Sequence, residues 1–226
     1  MGLGALLILA ALLFLLYNQH LNQAAGESVD AVMPELVEAI EEAEEETAQA
    51  ETEALTEEEA EESETVEMES EETEDSSSES SGENQETETE DDTEEEMTTT
   101  VIDGYEYIGY LSIPSLDLEL PVMSSWSYSN LRISPCRYSG SLLTDDLVIC
   151  AHNYARHFGK IKNLSVGDEV CFTDMDGNEI LYEVAEVTTL APTAVEEMTN
   201  SGYDLTLYTC TYGGKSRVTV RCNRVS

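Results

Sequence analysis

The sequence predicts an all-β domain, a sandwich or barrel of short strands, confined to the second half of the chain. Three observations predict it. The first is charge segregation: the 226 residues carry 49 Asp+Glu against 9 Lys+Arg, a formal net charge of −40, yet all nine bases lie beyond residue 100. Counting by halves, residues 1–100 hold 33 acids and no base (−33), and residues 101–226 hold 16 acids and 9 bases (9 − 16 = −7). The second is that all five cysteines, most of the glycines and tyrosines and the single Trp126 also lie beyond residue 100. The third is a succession of short β-branched and aromatic runs in that half, separated by Gly, Pro, Asn and Asp clusters, the pattern of an all-β domain. A segment of 126 residues is long enough to bury a core. The acidity excludes nucleic acid as a partner, because holding a polyanion relies on Lys and Arg at its phosphates.

Taken in order, the chain opens with Gly2 to Tyr17, GLGALLILAALLFLLY, an uncharged leucine-rich run. A spanning helix needs about 20 apolar residues, so residues 1–20 read as a membrane anchor that belongs to a longer hydrophobic segment. No Lys or Arg precedes it to fix orientation. The competing reading is a cleaved signal peptide cut near Gln23-Ala24-Ala25-Gly26; the basic leading region and a good cleavage site are both missing, which favours an uncleaved anchor. Either way the remainder is exported, and His20 reads as an interfacial residue. From Ser28 to Ala43, Val29, Val32, Met33, Leu36, Val37 and Ile40 recur at spacings of three and four, one face of a helix within residues 21–45. Such a helix either self-associates or frays into the tract that follows. Residues 46–100 are Glu/Thr/Ser-rich with no aromatic residue and no base, a composition that predicts a disordered acidic linker and a spacer between membrane and domain.

In residues 101–226 the strands predicted are Ile108 to Ile113, Glu119 to Val122, Asp146 to Cys150, Glu169 to Thr173, Ile180 to Val187, Leu205 to Cys210 and Arg217 to Cys222. A helical interruption is expected from Thr193 to Thr199, after Pro192, and a turn of helix from His157 to Leu164. Asp174-Met175-Asp176-Gly177-Asn178-Glu179 resembles the start of a calcium loop, but the position of its bidentate acid is Ala185. A hairpin turn between two strands is the better reading.

The chemistry sits at strand ends. Leu147 to Asn153 is an apolar strand ending in His152, and Leu205 to Cys210 is an alternating strand ending in a cysteine. If Leu205–Cys210 and the strand from Arg217 pair as a hairpin, Cys210 and Arg217 face each other at its open end. A thiol attacks as thiolate and needs a nearby base or positive charge. His152 can move the proton near neutral pH, and the Arg217 guanidinium can donate hydrogen bonds to an oxyanion. Taken as chemistry alone, a His and a Cys at two strand ends are more often core or loop residues than a dyad.

The residues also match a family. Thr206-Leu207-Tyr208-Thr209-Cys210, followed by an Arg that opens the next strand, resembles the TLxTC…R signature of sortases. VICAHNYARHFGKIKNLSVGDEV, around His152, is similar to the GHN…FG.L..L..GD block of that family, and Ile113-Pro114-Ser115-Leu116…Leu120-Pro121-Val122 to its IPxL…LPV opening. The resemblance implies a closed eight-stranded β-barrel with short helices, on a single-pass anchor in a bacterial cell membrane, with the catalytic domain outside and facing the wall. It implies a cysteine transpeptidase: Cys210 cleaves an LPxTG-like sorting motif near the C-terminus of a secreted protein, through a thioacyl enzyme, and an amine of a peptidoglycan stem or a pilin resolves it. His152 carries over as general acid/base and Arg217 as the substrate-positioning or oxyanion group. Thr209, Asn153 and Tyr208 carry over as substrate-binding residues. No cofactor and no metal is implied, and no CxxC-type spacing occurs among the cysteines. Ala151 stands where the family usually has Gly; the short Cys210 to Arg217 connection leaves the subclass open, and the HN…HFG wording leans toward a class B-like or related short-loop class.

The other polar residues have plainer readings. Arg221 lies on the same strand face as Arg217, about 13 Å further on, and is the weaker candidate. His157 reads as a surface helix residue. Cys150, Cys171 and Cys222 fall in strands and read as small buried apolar residues, while an exported setting leaves disulfides among these and Cys136 open. The competing functions are a hydrolytic cell-wall cysteine peptidase and a non-catalytic acidic surface module. The order His152 before Cys210, with the Cys ending a strand rather than opening a helix, disfavours the papain-like peptidase.

Overall fold

A computed structural model describes residues 2–62 and 96–225. Met1–Glu44 and Met97–Ser226 form one compact unit, and Glu45–Glu96 belongs to a second. The first unit contains nine strands: β1 (Thr100–Ile102), β2 (Tyr105–Ile113), β3 (Leu118–Met123), β4 (Cys136–Ser139), β5 (Leu147–Ala151), β6 (Glu169–Asp174), β7 (Glu179–Leu190), β8 (Leu205–Cys210) and β9 (Arg217–Arg224). Their order is β1-β2-β3-β4-β5-β8-β9-β7-β6, and β6 returns to pair with β2. That last pairing, Gly109↔Asp174 to Ser112↔Cys171, closes an eight-stranded barrel of β2 to β9 and leaves no free edge in the ring. β1 extends the same edge of β2 at Tyr105 to Tyr107.

All seven expected strands are present. The two additional ones, β1 and β4, are three and four residues long, too short to show alternation, and β4 is interrupted at Tyr138 by a register shift against β5. The expected interruption after Pro192 is a short helix, α2 (Val195–Thr199), and the expected turn before Leu164 is a 3₁₀ segment, Phe158–Asn163. The Asp174 to Glu179 segment is the β6–β7 hairpin turn. Asp174 Oδ1 accepts from the Asp176 and Asn178 amides at 3.0 and 2.9 Å, and Gly177 takes φ +82°, which explains the glycine there.

Alternation sorts the side chains. Leu111, Ile149, Phe172, Leu207 and Val220 are fully buried inside the barrel. Val148, Cys150 and Tyr208 point the other way, into a second cluster on the outer face.

The N-terminal helix, α1 (Gly2–Glu62), is continuous through the apolar run. It holds a stretch long and apolar enough to cross a membrane, none of which is buried. Beyond the apolar run, Ala25, Val29, Val32, Leu36 and Ile40 are 0–6% exposed, and the last four join the clusters of the barrel. The barrel covers this apolar stripe. Each such Val, Leu or Ile contributes roughly 1.5–3 kcal/mol when buried, enough to hold a helix whose local propensity alone would not. Helix also continues through Glu45–Glu62, part of the tract expected to be an extended linker; Ala and Glu are good helix formers. The remainder of that expected linker, residues 63–95, lies outside the described residues.

Candidate active site

Three adjacent strands assemble the site. β5 and β8 run parallel with Ala151 in register with Thr209, so His152 and Cys210 are the next position on each, side by side at the same end. β8 and β9 are antiparallel with Cys210 directly opposite Arg217. Paired Cα atoms across an antiparallel ladder are about 4.5–5.5 Å apart, so the Cys210 backbone stands one strand spacing from that of Arg217, and on its other side it neighbours the position that His152 takes after β5. Period-2 alternation puts Cys210 on the same outer face as Tyr208, and His152 on the same face as Cys150. The β8–β9 connection is drawn tight: the Thr211 amide donates to the Ser216 carbonyl at 2.9 Å. Arg217 Nη1 donates to the Gly214 and Ser216 carbonyls of that turn, both at 3.3 Å.

His152 is half-buried, and its pKa is lowered, first by burial and then by the Arg132 charge. It therefore rests as a neutral imidazole able to accept a proton at neutral pH. Its ring lies 4.9 Å from that of Tyr154. On the thiol side, burial pushes Cys150 up to about 12, so Cys150 stays protonated beside the half-exposed Cys210. Tyr208 is raised chiefly by burial, and its ring packs edge-on against Tyr138 at 5.5 Å. Tyr138 in turn meets Trp126 at 5.6 Å, and Trp126 meets the exposed Tyr128 at 5.9 Å. An aromatic strip thus leads from the thiol to solvent.

The remaining sequence candidates fall as follows. Asn153 is exposed on the loop after His152. Tyr208 is 9% exposed. Thr209, expected beside the substrate, is 3% exposed; its hydroxyl donates to the Ala151 carbonyl at 2.8 Å, bracing β8 to β5 beneath the site. Arg221 is committed elsewhere: it pairs with Glu186 at 2.9 Å, donates to the Glu197 carbonyl at 3.0 Å and lies over the Tyr203 ring. His157 is not a surface residue. It is fully buried, with the Ala25 and Ile133 backbones beside its ring. Burial lowers its pKa to about 4. The reason is tertiary: Phe158 N donates to the His152 carbonyl, which folds the loop back and tucks His157 against α1 beside Ala25. All five cysteines are free thiols.

Arg132, Tyr138, Tyr154 and Trp126 border the site without having been singled out from the sequence. Tyr154 carried a local signal, two residues after His152. The other three come from the segment around β4, which no periodicity ties to β5 or β8.

A closed barrel thus brings His152, Cys210 and Arg217 to one end of three neighbouring strands. The family model described as the Sortase domain matches residues 111–225, half of the chain, and the protein belongs to the sortase family. It is 31% identical to sortase A of Bacillus anthracis over 121 residues, which cover 51% of this chain and 57% of that protein. Among solved structures it is similar to sortase C1 of GBS Pilus Island 1, with 25% identity, 53% and 64% of the two chains covered and a TM-score of 0.48. It is also similar to sortase A from Corynebacterium diphtheriae, with 24% identity, 54% and 62% covered and a TM-score of 0.48. The chain spans just over half the length of the curated relative it matches.

Proposed function

We propose that this chain is a membrane-anchored cysteine transpeptidase that cleaves a C-terminal sorting motif of the LPxTG kind and transfers the exported protein to an amine. The observation that carries the reading is the register that sets Cys210 between His152 and Arg217. The Cys210 thiolate attacks the scissile carbonyl carbon of the motif's Thr while His152 holds the thiol proton. Arg217 donates hydrogen bonds to the oxyanion that develops. Collapse breaks the C–N bond as His152 returns the proton to the leaving amine, and a thioester with Cys210 remains. The acceptor, an amine of a peptidoglycan stem or a pilin lysine, attacks the thioester; His152 takes its proton, the C–S bond breaks and the Cys210 thiolate departs. Asn153, Tyr208 and the adjoining aromatic strip line the approach of the peptide, and Thr209 fixes the strand that presents the nucleophile. The apolar start of α1 crosses the bacterial membrane once, with the barrel outside and facing the wall.

The test uses the full chain in detergent with sorting-motif peptides and a glycine or diaminopimelate-type amine. Intact-mass detection of a thioacyl adduct, and of the amide product when amine is added, is expected for the wild type and absent for Cys210→Ala. Adduct that only hydrolyses, with every amine offered, favours the hydrolytic peptidase; no adduct with any motif rejects the enzyme reading.

A further inference from the structure

The helix and the catalytic-histidine loop meet residue by residue. The Ala155 amide donates to Asn22 Oδ1 at 3.0 Å, and the Arg156 guanidinium pairs with Asp30. Gly26 is buried beneath Arg156, where a Cβ would stand 3.0 Å from Arg156 Cγ. Ala25, 1% exposed, adjoins the buried His157. Residues 155, 156 and 157 are thus each gripped by the stretch 22–30. The loop passes the restraint inward: His157 N and Gly159 N both donate to the Tyr154 carbonyl, at 3.0 and 2.9 Å, and Phe158 N donates to that of His152. On the far side the same helix face continues onto the outer face of the barrel through Val32, Leu36 and Ile40.

Two consequences combine. Tyr17 ends the apolar run five residues before Asn22, about 7.5 Å along a helix, so a barrel docked at Asn22 lies at the membrane surface. The acidic tract leaves the compact unit after Glu44 and rejoins it at Met97, so both its ends are fixed to the same body. We propose that residues 22–40 of α1 are an intramolecular clamp: they position the His152 loop, and they, rather than the acidic tract, hold the barrel to the membrane. The second half rests on the reading of α1 as a membrane anchor.

The experiment inserts a specific protease site at positions 76–81 of the full chain and cuts it in isolated membranes. The barrel is expected to stay in the membrane pellet after complete cutting, whereas Leu36→Asp stays when uncut and is released when cut. Release of the cut wild-type barrel in native buffer overturns the clamp. An uncut chain that does not pellet counts against the anchor reading instead, and the clamp is then judged by whether the cut barrel co-purifies with an N-terminally tagged helix from detergent. Positioning has its own readout. Asn22→Ala removes the acceptor for Ala155 and should lower kcat about fivefold, the weight of one neutral hydrogen bond, with KM unchanged. Asn22→Asp keeps the acceptor oxygen and should restore kcat. Wild-type kcat in Asn22→Ala overturns the positioning role while leaving the proposed reaction standing.

Discussion

The inner and outer faces of β5, β8 and β9 use the same backbone for different ends. Inward, Leu147, Ile149, Leu205, Leu207, Val220 and Cys222 are 0% exposed and close the barrel. Outward, Cys150 and Tyr208 lead to His152, Cys210 and Arg217, where burial is incomplete and ionisable groups stand one strand apart. Alternation lets a strand be fully apolar on one side while its other side carries ionisable groups. The two faces should therefore respond to substitution in different currencies, stability for one and rate for the other.

Three measurements can break that division. The largest effect is expected inside: Leu207→Ala should cost roughly 2–5 kcal/mol of unfolding free energy, the range for emptying a packed leucine site. In chemical denaturation the variant should still form thioacyl adduct wherever it remains folded. Loss of adduct from the folded variant would show that the inner face also tunes the chemistry.

His157 comes next. It is held neutral by burial with a pKa of about 4, against about 6.5 in an unfolded chain, so the unfolded state binds the proton first as pH falls. Stability is therefore fully present above pH 6.5 and lost progressively as pH falls toward 4, by about 3 kcal/mol from this group. His157→Gln should flatten that part of the stability–pH curve relative to wild type. Parallel curves for the two proteins would mean that His157 is charged or solvated in the fold.

Smallest is the contrast between two arginines on one face of β9. Arg217→Ala should lower kcat/KM roughly 10²-fold, as removal of one oxyanion donor does, with little change in melting temperature. Arg221→Ala should leave turnover near wild type and cost about 1 kcal/mol or less, because its partner Glu186 is part-exposed. Steady-state kinetics with a sorting peptide decides it; equal losses in the two variants would erase the distinction.

Much of this was legible from local pattern. The seven long strands show themselves by β-branched content between turn residues, the Asp174 to Glu179 turn by its Asp and Gly, and the stripe on α1 by its 3–4 spacing. The strand β4 was not legible, since four residues with a bulge at Tyr138 carry no alternation. Nor was the burial of His157, which sits in a polar-looking run and is covered by a helix more than a hundred positions earlier.

The sequence by itself determined which residues are apolar on which side of each element, where the charge lies, and that a histidine and a cysteine each end a strand. Those are properties of period and composition, and they act over a few residues. Only the tertiary structure decided that β5 and β8 lie parallel and adjacent, so that His152 and Cys210, 58 positions apart in sequence, follow neighbouring strand ends, and that the barrel is what covers the α1 stripe. An apolar face states that it must be buried, by the cost of leaving it in water; it does not state against what. That choice is made when all the faces are satisfied together, and here it joined α1 to the loop that follows His152.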